Sequence, residues 1–481
     1  MKTTHRRKTA NRRKPTHRQK TTHRQNPTNN HNMTEIIQKL SNSRGARWAT
    51  LCIVSFTMMC GYFITDVMSP LEDLLMQSHN WNSTEYGIFS GAYGWFNVFF
   101  LMLIIGGIIL DKMGVRFTGL MSCFLMIAGA VVKAYAVSGF FHSESLLLGY
   151  KIEVFVAGLG FALFGMGAEI AGITVSKIIV KWFTGHELAL AMGFQVALAR
   201  IGTFFALSYS LPIAKHFQAV SAPVWLGALL LCIGTISFLV YRVMDRKLDA
   251  SEAVSEGVKE EGFKLSDIKL IISNRGFWLI AILCVLFYSG VFPFLKFATK
   301  LMIYKYGVAE DLAGSIPGIL PAGTILLTPL FGSLYDRIGK GATLMLIGAV
   351  MLTAVHILFA LPVMNEWWFA AAVMIVLGIA FSLVPSAMWP AVAKIIPQKQ
   401  LGTAFSLVFY VQNWGLMGVP MLIGWVIDRY ARLPGDTLAY DYTIPMLVFA
   451  AFGVLAITVA LMLKAEDKKK GYGLQEPNIR R

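Results

Sequence analysis

A carboxylate and a guanidinium stand inside two long apolar segments that follow each other in the chain. Glu169 lies within GMGAEIAGITVSK, and Arg200 lies within the next apolar segment. Glu169 precedes Thr184 by 15 positions, and Arg200 follows Gly185 by 15. A helical hairpin that turns at these residues therefore brings both charges to the same depth, since each residue rises ~1.5 Å. A lone charge in hydrocarbon is costly, so we expect the two side chains either to neutralise each other or to bind a ligand.

The chemistry of the two side chains suits a small zwitterion. Arginine can hold a carboxylate through two parallel donors, and glutamate can accept hydrogen bonds from an ammonium. We expect Glu169 and Arg200 to pair in an empty protein and to engage the two ends of a ligand in a loaded one. Two alternatives stay open: a purely structural ion pair, and an organic-anion site in which Arg200 clamps the anion and Glu169 carries a proton.

Other polar and aromatic side chains fall in the middle of apolar segments and could complete such a site. Buried amides require partners, which either a neighbouring helix or a ligand can supply. A tryptophan between two prolines, in VPSAMWPAVA, marks a kinked helix that suits a gate, a pocket wall or plain packing. The candidates are Tyr93, Asn97, Gln195, Tyr288, Trp389, Gln412 and Asn413.

Several charged residues near the ends of apolar segments are weaker candidates. Asp66 is expected to be solvated, and Lys296 and Lys300, at helical spacing, are expected to extend towards the membrane surface. His356 stands alone and is expected to be a hydrogen-bonded helix residue. The NSTE segment, 82–85, fits a helix capping box better than a glycosylation site.

The elements that position these residues are membrane-spanning helices. Only 15% of the 481 residues are charged and 56% are hydrophobic, and apolar runs recur at about the 20 residues that a spanning helix needs. We predict an all-α polytopic protein with twelve spans, numbered one to twelve: 47–69, 85–110, 116–138, 148–180, 188–212, 222–243, 275–302, 312–335, 341–361, 367–392, 402–427 and 442–464.

Charge divides the chain into regions and predicts its orientation. The short loops after spans two, four, eight and ten are rich in Lys and Arg, which predicts that they and both termini are cytoplasmic. Residues 1–47 hold 13 Lys and Arg against one acid, which predicts disorder. Met33 is an alternative start of translation. The predicted regions are a basic cytoplasmic tail 1–46, six-helix bundles 47–243 and 275–464, a cytoplasmic linker 244–274 and a tail 465–481.

The patterns of an enzyme are missing from the sequence. It contains no phosphate-binding glycine loop with lysine, no nucleophile–base set and no metal-ligand spacing, so we expect no catalytic activity, cofactor or metal. The expected partners are a small molecule, the lipid bilayer and, as an open question, protons, in a monomer. The basic tail is expected to be an extension that binds no nucleic acid. A different class, a non-transporting receptor or tether whose tail binds lipid or nucleic acid, remains an alternative.

Two loops carry a repeated pattern. The loop after span two reads G-x-x-x-D-(R/K)-x-G-x-(R/K), with Gly107, Asp111, Lys112, Gly114 and Arg116, and a second, similar copy stands after span eight as Gly332, Asp336, Arg337, Gly339 and Lys340. With twelve spans and a central linker, this repeated pattern resembles the major facilitator superfamily. The resemblance implies two pseudo-symmetric six-helix bundles, alternating access, and a cytoplasmic latch that holds the outward-open state. The latch residues it implies are the five of the first loop together with Asp336 and Arg337 of the second.

A narrower resemblance joins stretches of both halves, such as GWFNV, YSGVFPF and KWFTGHELALAMGFQVALARIG, to the dipeptide transporters typified by the lysosomal one. It implies a transporter of dipeptides in which Glu169 and Arg200 face the amino and carboxyl ends of the substrate. Phe161 stands where that group carries an arginine, and the basic tail is unlike a lysosomal sorting tail. We therefore expect a prokaryotic-type relative in the cell (inner) membrane.

Overall fold

A computed structural model describes residues 43–141, 145–183, 187–252, 265–397, 400–433 and 440–477. Nearly all of the predicted basic tail and much of the predicted linker, residues 1–42 and 253–264, lie outside the described residues. What is described is helical apart from loops and one antiparallel hairpin, in which β1 Leu146–Leu147 pairs with β2 Tyr150–Lys151.

The helices follow the predicted order of spans. In the N-terminal half, residues 43–252, they are Arg44–Asp66, Glu72–His79, Ser83–Gly91, Trp95–Phe99, Met102–Ala136, Ile152–Phe183, Leu188–His216 and Ala222–Glu252. In the C-terminal half, residues 265–477, they are Leu265–Ile272, Arg275–Ser289, Phe292–Tyr306, Glu310–Ala313, Ser315–Ile338, Gly341–Ala360, Trp367–Ile395, Leu401–Val426 and Thr443–Lys470.

Eleven helices of the described chain are long and apolar enough to cross a membrane, against twelve predicted spans. The difference lies in span two, whose helix is divided. A 3₁₀ turn, Ala92–Gly94, interrupts it, and Leu101 then takes a left-handed conformation with φ 54°. The remainder continues into span three through Gly114, whose φ of 77° is not helical. Span two is therefore present as short pieces rather than as one uninterrupted helix.

Span seven is also divided, at Gly290 between its two helices. The Nε2 atom of His356 in span nine lies 2.7 Å from the Gly290 carbonyl oxygen. A hydrogen bond here satisfies a backbone acceptor that the break leaves without its helical donor. The prediction that His356 is a hydrogen-bonded helix residue is confirmed.

The two halves pack closely at the membrane end that holds Asp66, called the Asp66 end below. A β-carbon at Gly87 or Gly91 of span two would collide with backbone carbonyls of span eleven, and one at Gly314 would collide with the Leu207 carbonyl of span five. The absence of side chains at these positions permits the close approach. The hydrogen bonds and ion pairs that described residues form between the halves run from this end to mid-depth, where Asn97 meets Asn413.

The expectations for Asp66, Lys296 and Lys300 were wrong. Lys296 Nζ lies 2.7 Å from Asp66 Oδ1, and Lys300, 2% exposed, lies 3.2 Å from Glu72 Oε1. These lysines point into the boundary between the halves rather than to the membrane surface. Carboxylates of span one and of the short helix after it compensate their charges, because a buried ammonium needs an anionic partner.

The helix that begins span two is capped twice. Asn82 accepts a hydrogen bond from the Glu85 amide at 2.8 Å, and Glu85 accepts one from the Asn82 amide at 3.0 Å, which confirms the predicted capping box. Asp428, from the other half, accepts from the amides of Ser83 and Thr84 at 3.1 and 2.6 Å. A carboxylate at a helix N-terminus is favourable, so Asp428 ties span two to the C-terminal half.

Candidate functional site

Glu169 lies on span four, in the helix Ile152–Phe183, and is half-buried. The Tyr93 hydroxyl donates a hydrogen bond to Glu169 Oε1 at 3.0 Å, and the Asn413 side chain is also within interaction range of this carboxylate. Tyr93 belongs to the 3₁₀ turn that divides span two. The break in span two thus presents a hydroxyl to the carboxylate of its neighbour.

Two glycines allow span four to lie this close to its neighbours. A β-carbon at Gly165 would collide with the carbonyl oxygen of Tyr93, and one at Gly167 would lie 2.9 Å from the Met126 amide nitrogen of span three. Since real β-carbons are not found at such distances from backbone atoms, only glycine fits at both positions. The two glycines therefore permit the close packing of span four.

Arg200 lies on span five and is 9% exposed. Its guanidinium carbon stands 5.5 Å from the ring centroid of Tyr62, 5.3 Å from Phe292 and 5.1 Å from Phe381. We call these three rings the arginine cage. Arginine is attracted to aromatic faces within about 6 Å. Tyr62 belongs to the N-terminal half and the two phenylalanines to the C-terminal half, so the cage exists only where the halves meet.

The expected ion pair between Glu169 and Arg200 is not formed in this conformation. Among the described residues, no carboxylate oxygen lies within 4.0 Å of the Arg200 guanidinium. Glu169 is instead engaged by Tyr93, and Arg200 is held by the arginine cage. Tyr62 is close enough to interact electrostatically with both charges. The two groups are therefore held by different partners and do not pair with each other.

Three of the four predicted amides, those of Asn97, Gln412 and Asn413, form hydrogen bonds with other described residues. Asn97 Nδ2 donates to Asn413 Oδ1 at 3.3 Å across the halves, and Asn413 Nδ2 donates to the Phe409 carbonyl at 2.9 Å. Gln412 Oε1 accepts from Cys284 Sγ at 3.5 Å. The Oδ1 atom of Asn97 is buried and has no partner among the described residues. The Asn97 side chain thus uses its Nδ2 atom as a donor and keeps a buried acceptor, Oδ1, that a ligand at mid-depth could use.

The remaining candidates differ in how close they lie to the arginine cage. Tyr288 packs against Phe381 at 5.7 Å between ring centroids, and the Trp389 side chain lies within interaction range of its hydroxyl. Trp389 in turn packs against Phe409 at 4.9 Å. Gln195 is half-buried on span five, and no hydrogen bond joins it to another described residue. The structure therefore brings Tyr288 and Trp389 to the cage wall and leaves Gln195 outside it.

The first predicted latch loop is held within the N-terminal half. Lys177 Nζ lies 2.7 Å from Asp111 Oδ1, and Lys112 is exposed. The backbone at Gly114 has a φ of 77°. This conformation favours glycine, because glycine has no β-carbon to clash. No heavy atom lies within 4 Å of the position of a β-carbon at Gly107, so no neighbouring helix packs closely against Gly107 in this conformation.

Arg116, the last residue of the first motif, reaches a buried carboxylate of span six. Its guanidinium lies 3.7 Å from Asp245 Oδ2. Asp245 also accepts from Lys181 at 2.9 Å and from the Trp182 indole at 3.3 Å. Spans three, four and six are therefore joined by one carboxylate that the sequence analysis had not singled out.

The second predicted latch loop meets the C-terminal segment. Asp336 is half-buried and Arg337 is exposed. The Lys340 amide donates to the Gln475 carbonyl at 3.0 Å, and Lys394 Nζ donates to the Gly473 carbonyl at 3.0 Å. The residues after span twelve thus fold back over the loop that carries the second motif.

Three residues of the site were missed by sequence reasoning: Tyr62, Phe292 and Phe381. All three lie in ordinary apolar runs in which aromatic residues are frequent. No spacing along the chain links a residue of span one to residues of spans seven and ten, and only the packing of the halves brings them around Arg200. The described residues contain no cluster of three or more His, Cys, Asp or Glu that could hold a metal ion.

The fold and the family follow from comparison with known proteins. A family model described as Major Facilitator Superfamily matches residues 51–420 and 295–478, so the chain belongs to this superfamily of membrane transporters and is not an enzyme. Its fold is the all-α polytopic fold of that superfamily. A variant of the nucleoside transporter NupG matches with a TM-score of 0.67 at 16% identity, covering 86% of this chain and 98% of that chain.

A more specific similarity is found within the superfamily. The chain is 29% identical over 399 residues to the lysosomal dipeptide transporter MFSD1 of Bos taurus, which covers 80% of this chain and 81% of that protein. A bacterial homolog of the human lysosomal transporter Spinster, in an inward-facing and unoccupied conformation, matches with a TM-score of 0.65 at 13% identity, covering 89% of this chain and 98% of that chain.

Proposed function

We propose that this transporter carries dipeptides or similar small zwitterions by rocker-switch alternating access around Glu169 and Arg200. One observation carries the proposal. Arg200 is buried at the boundary between the halves, and the described residues surround it with aromatic rings but bring no carboxylate within 4.0 Å. A buried guanidinium held in this way is available to the carboxylate of a ligand.

The two ends of a dipeptide would find complementary groups in Arg200 and Glu169. The arginine cage fixes the plane of the guanidinium without neutralising it, which favours two parallel hydrogen bonds to a carboxylate. The Tyr93 hydroxyl fixes one oxygen of Glu169 and leaves the other for an ammonium. The similarity to lysosomal dipeptide transporters supports the same class of substrate.

The membrane context is part of the proposal. The excess of Lys and Arg in the loops opposite the Asp66 end favours a cytoplasmic location for both termini, in a monomer of the cell membrane. The Asp66 end would then face outwards. Its ion pairs between the halves support a conformation in which the outward route is shut, and transport requires that these contacts open and re-form.

An organic-anion carrier is the second candidate, because the arginine cage alone provides an anion site. In that mechanism Glu169 binds a proton instead of an ammonium. An N-acetylated dipeptide separates the two candidates, since it keeps the carboxylate and lacks the ammonium. A dipeptide carrier rejects this compound, and an organic-anion carrier transports it. A receptor or tether would transport neither compound.

The experiment measures exchange of labelled L-alanyl-L-alanine in proteoliposomes and thermal stabilisation of the purified protein. We expect exchange by the wild type, and a loss of at least about tenfold in Glu169→Gln and in Arg200→Ala, because each removes a charge-assisted contact worth about 1.5–3 kcal/mol. Glu366→Gln, at an exposed position before span ten, is the matched control. Undiminished exchange in both site variants would overturn the proposal.

A further inference from the structure

A second buried cation lies apart from the candidate site, at the end of span three. The side chain of Lys133 is 0% exposed, and its Nζ atom donates to the Ile64 carbonyl at 2.8 Å. The rings of Phe161 and Phe164 lie 4.5 and 5.6 Å from this nitrogen. Among the described residues, no carboxylate oxygen lies within 4.0 Å of it. An ammonium without an anion is expensive at such a position.

The nearest charged groups belong to the ion pair that joins the halves. Lys296 Nζ lies 2.7 Å from Asp66 Oδ1 and 2.7 Å from the Thr65 carbonyl oxygen. The same nitrogen lies 5.9 Å from the ring of Phe161. Lys133 and Lys296 thus both donate to carbonyls in the last turn of span one and both lie near the ring of Phe161, and Lys296 is the one that pairs with Asp66.

The other titratable groups of this region are already matched with one another. Lys300 lies 3.2 Å from Glu72 and 3.5 Å from Asp73. The Tyr86 hydroxyl donates to the carbonyls of Met68 and Lys296. Among the described residues, span four places the rings of Phe161 and Phe164 beside the Lys133 nitrogen. The end of span one therefore offers one carboxylate, that of Asp66, to a region that two lysines, Lys133 and Lys296, reach.

We propose that Lys133 is a proton-binding site that is coupled to the opening of the Asp66 end. While Lys296 holds Asp66, Lys133 is a neutral amine that donates one hydrogen bond to Ile64. When the C-terminal half moves away it takes Lys296 with it, whereas Lys133 and Asp66 remain together in the N-terminal half. The Lys133 amine then binds one proton from the water that enters, and the resulting ammonium pairs with Asp66.

Closure reverses the exchange and moves the proton. Lys296 returns to Asp66, and Lys133 again lacks an anion. Its ammonium releases the proton to the water of the substrate cavity, which opens towards the other membrane end. Each cycle then carries one proton through the membrane, and with a zwitterionic substrate one net positive charge.

The first test needs no substrate. Ser208 of span five is 6% exposed and faces Gly318 of span eight across the halves. In a protein without its native cysteines, Ser208→Cys reports opening of the Asp66 end through its labelling by a membrane-impermeant maleimide. We expect labelling to rise up to roughly tenfold per pH unit as the pH falls through the titration range of Lys133, because proton occupancy changes at that rate.

Three lysine variants give this test its control and its contrast. Lys133→Met cannot bind a proton, so its labelling should be low at every pH. Lys133→Arg stays charged at every pH, so its labelling should be high throughout. Lys305→Met is the matched control, since Lys305 also donates to backbone carbonyls at a helix end, those of Phe359 and Leu361, and it should titrate like the wild type. Titration that persists in Lys133→Met, or its absence in the wild type, would overturn the proposal.

The second test follows the proton itself. In proteoliposomes with a pH indicator inside, L-alanyl-L-alanine should move protons with the wild type but not with Lys133→Met, whose exchange of one dipeptide for another should be slower than in the wild type and independent of pH, because its Asp66 end opens rarely at every pH. Substrate transport by the wild type without proton movement would contradict the role of Lys133. A failure of all dipeptide transport would contradict the proposed substrate instead and would leave the labelling test unaffected.

Discussion

The Nζ atom of Lys296 and the Oδ1 atom of Asp66 lie 2.7 Å apart across the boundary between the two halves. The side chains are 12% and 9% exposed, so the pair is largely removed from solvent. In the proposed transport cycle the two halves separate at this end, and this ion pair must break each time. The conformation of the carrier is therefore sensitive to these two residues.

Removal of one partner should favour opening of the Asp66 end. In Lys296→Met the carboxylate of Asp66 loses its ion-pair partner, and breaking a buried pair costs about 3–5 kcal/mol. Distances between spin labels on spans two and eleven should shift towards the separated state. The exchanged variant Asp66→Lys with Lys296→Asp should restore the closed distance, and an unchanged distance distribution in Lys296→Met would contradict the role of this pair.

The arginine cage should contribute to substrate affinity. Phe381→Leu removes the ring nearest to Arg200, and a cation–π contact at a desolvated site is worth about 1–2 kcal/mol. We expect KM for the dipeptide to rise at least about fivefold with little change in protein yield. Phe287→Leu is the control, because Phe287 stacks on Phe381 at 6.4 Å and has no contact with Arg200. Equal effects of the two variants would indicate a packing defect only.

Tyr93 should act through Glu169. Tyr93→Phe removes the hydroxyl that donates to Glu169 Oε1, at a cost of about 1–2 kcal/mol for a hydrogen bond to a charged group. Exchange of the dipeptide should therefore weaken several-fold. In Glu169→Gln the same substitution should have a smaller effect, since residues that act together are not additive. Fully additive losses would show that Tyr93 acts on something else.

Close packing of span four should be measurable as stability. A methyl group at Gly165 would meet the Tyr93 backbone, so Gly165→Ala should lower the free energy of unfolding by about 1–3 kcal/mol. Gly172 on the same helix has open space where a β-carbon would stand. Gly172→Ala should therefore be neutral or stabilising by up to about 1 kcal/mol. Thermal unfolding in detergent compares the two variants. Equal melting temperatures would contradict the close packing of span four at Gly165.

The segment after span twelve should stabilise the C-terminal half. Leu474 is fully buried, and its carbonyl accepts from the Gly341 amide at 2.8 Å. Leu474→Ala should lower the free energy of unfolding by about 2–5 kcal/mol, as for other buried leucines. Ile338→Ala, at a position that is 53% exposed, should have a small effect. A melting temperature of Leu474→Ala equal to that of the control would show that this segment does not contribute.

Much of the fold followed from composition and periodicity along the chain. Apolar runs of spanning length predicted the helices, and the paired motifs after spans two and eight predicted the superfamily. The single discrepancy in the number of spanning helices arose at span two. Its break depends on the left-handed conformation of Leu101, and leucine carries no signal for that conformation.

The acidic and basic residues of the candidate site were also recognisable, because charge inside an apolar run is conspicuous in any sequence. Their partners were not. Counting residues around one hairpin placed Glu169 and Arg200 at one depth, but it could not reveal that Tyr93 engages the first and that three rings surround the second. Those contacts depend on how helices rotate and on which half faces which, and spacing along one helix contains neither.

The buried lysines show most clearly which features the sequence predicts and which only the packing of helices decides. The sequence by itself determined that this is a polytopic helical transporter with charges in its interior, since hydropathy and charge are properties of each segment alone. Only the tertiary structure decided that Lys296 and Lys133 meet the last turn of span one from different halves, and that Lys296 is the one that pairs with Asp66 in this conformation. Pairing of charges depends on distances between helices that are far apart in the chain, and packing alone sets those distances.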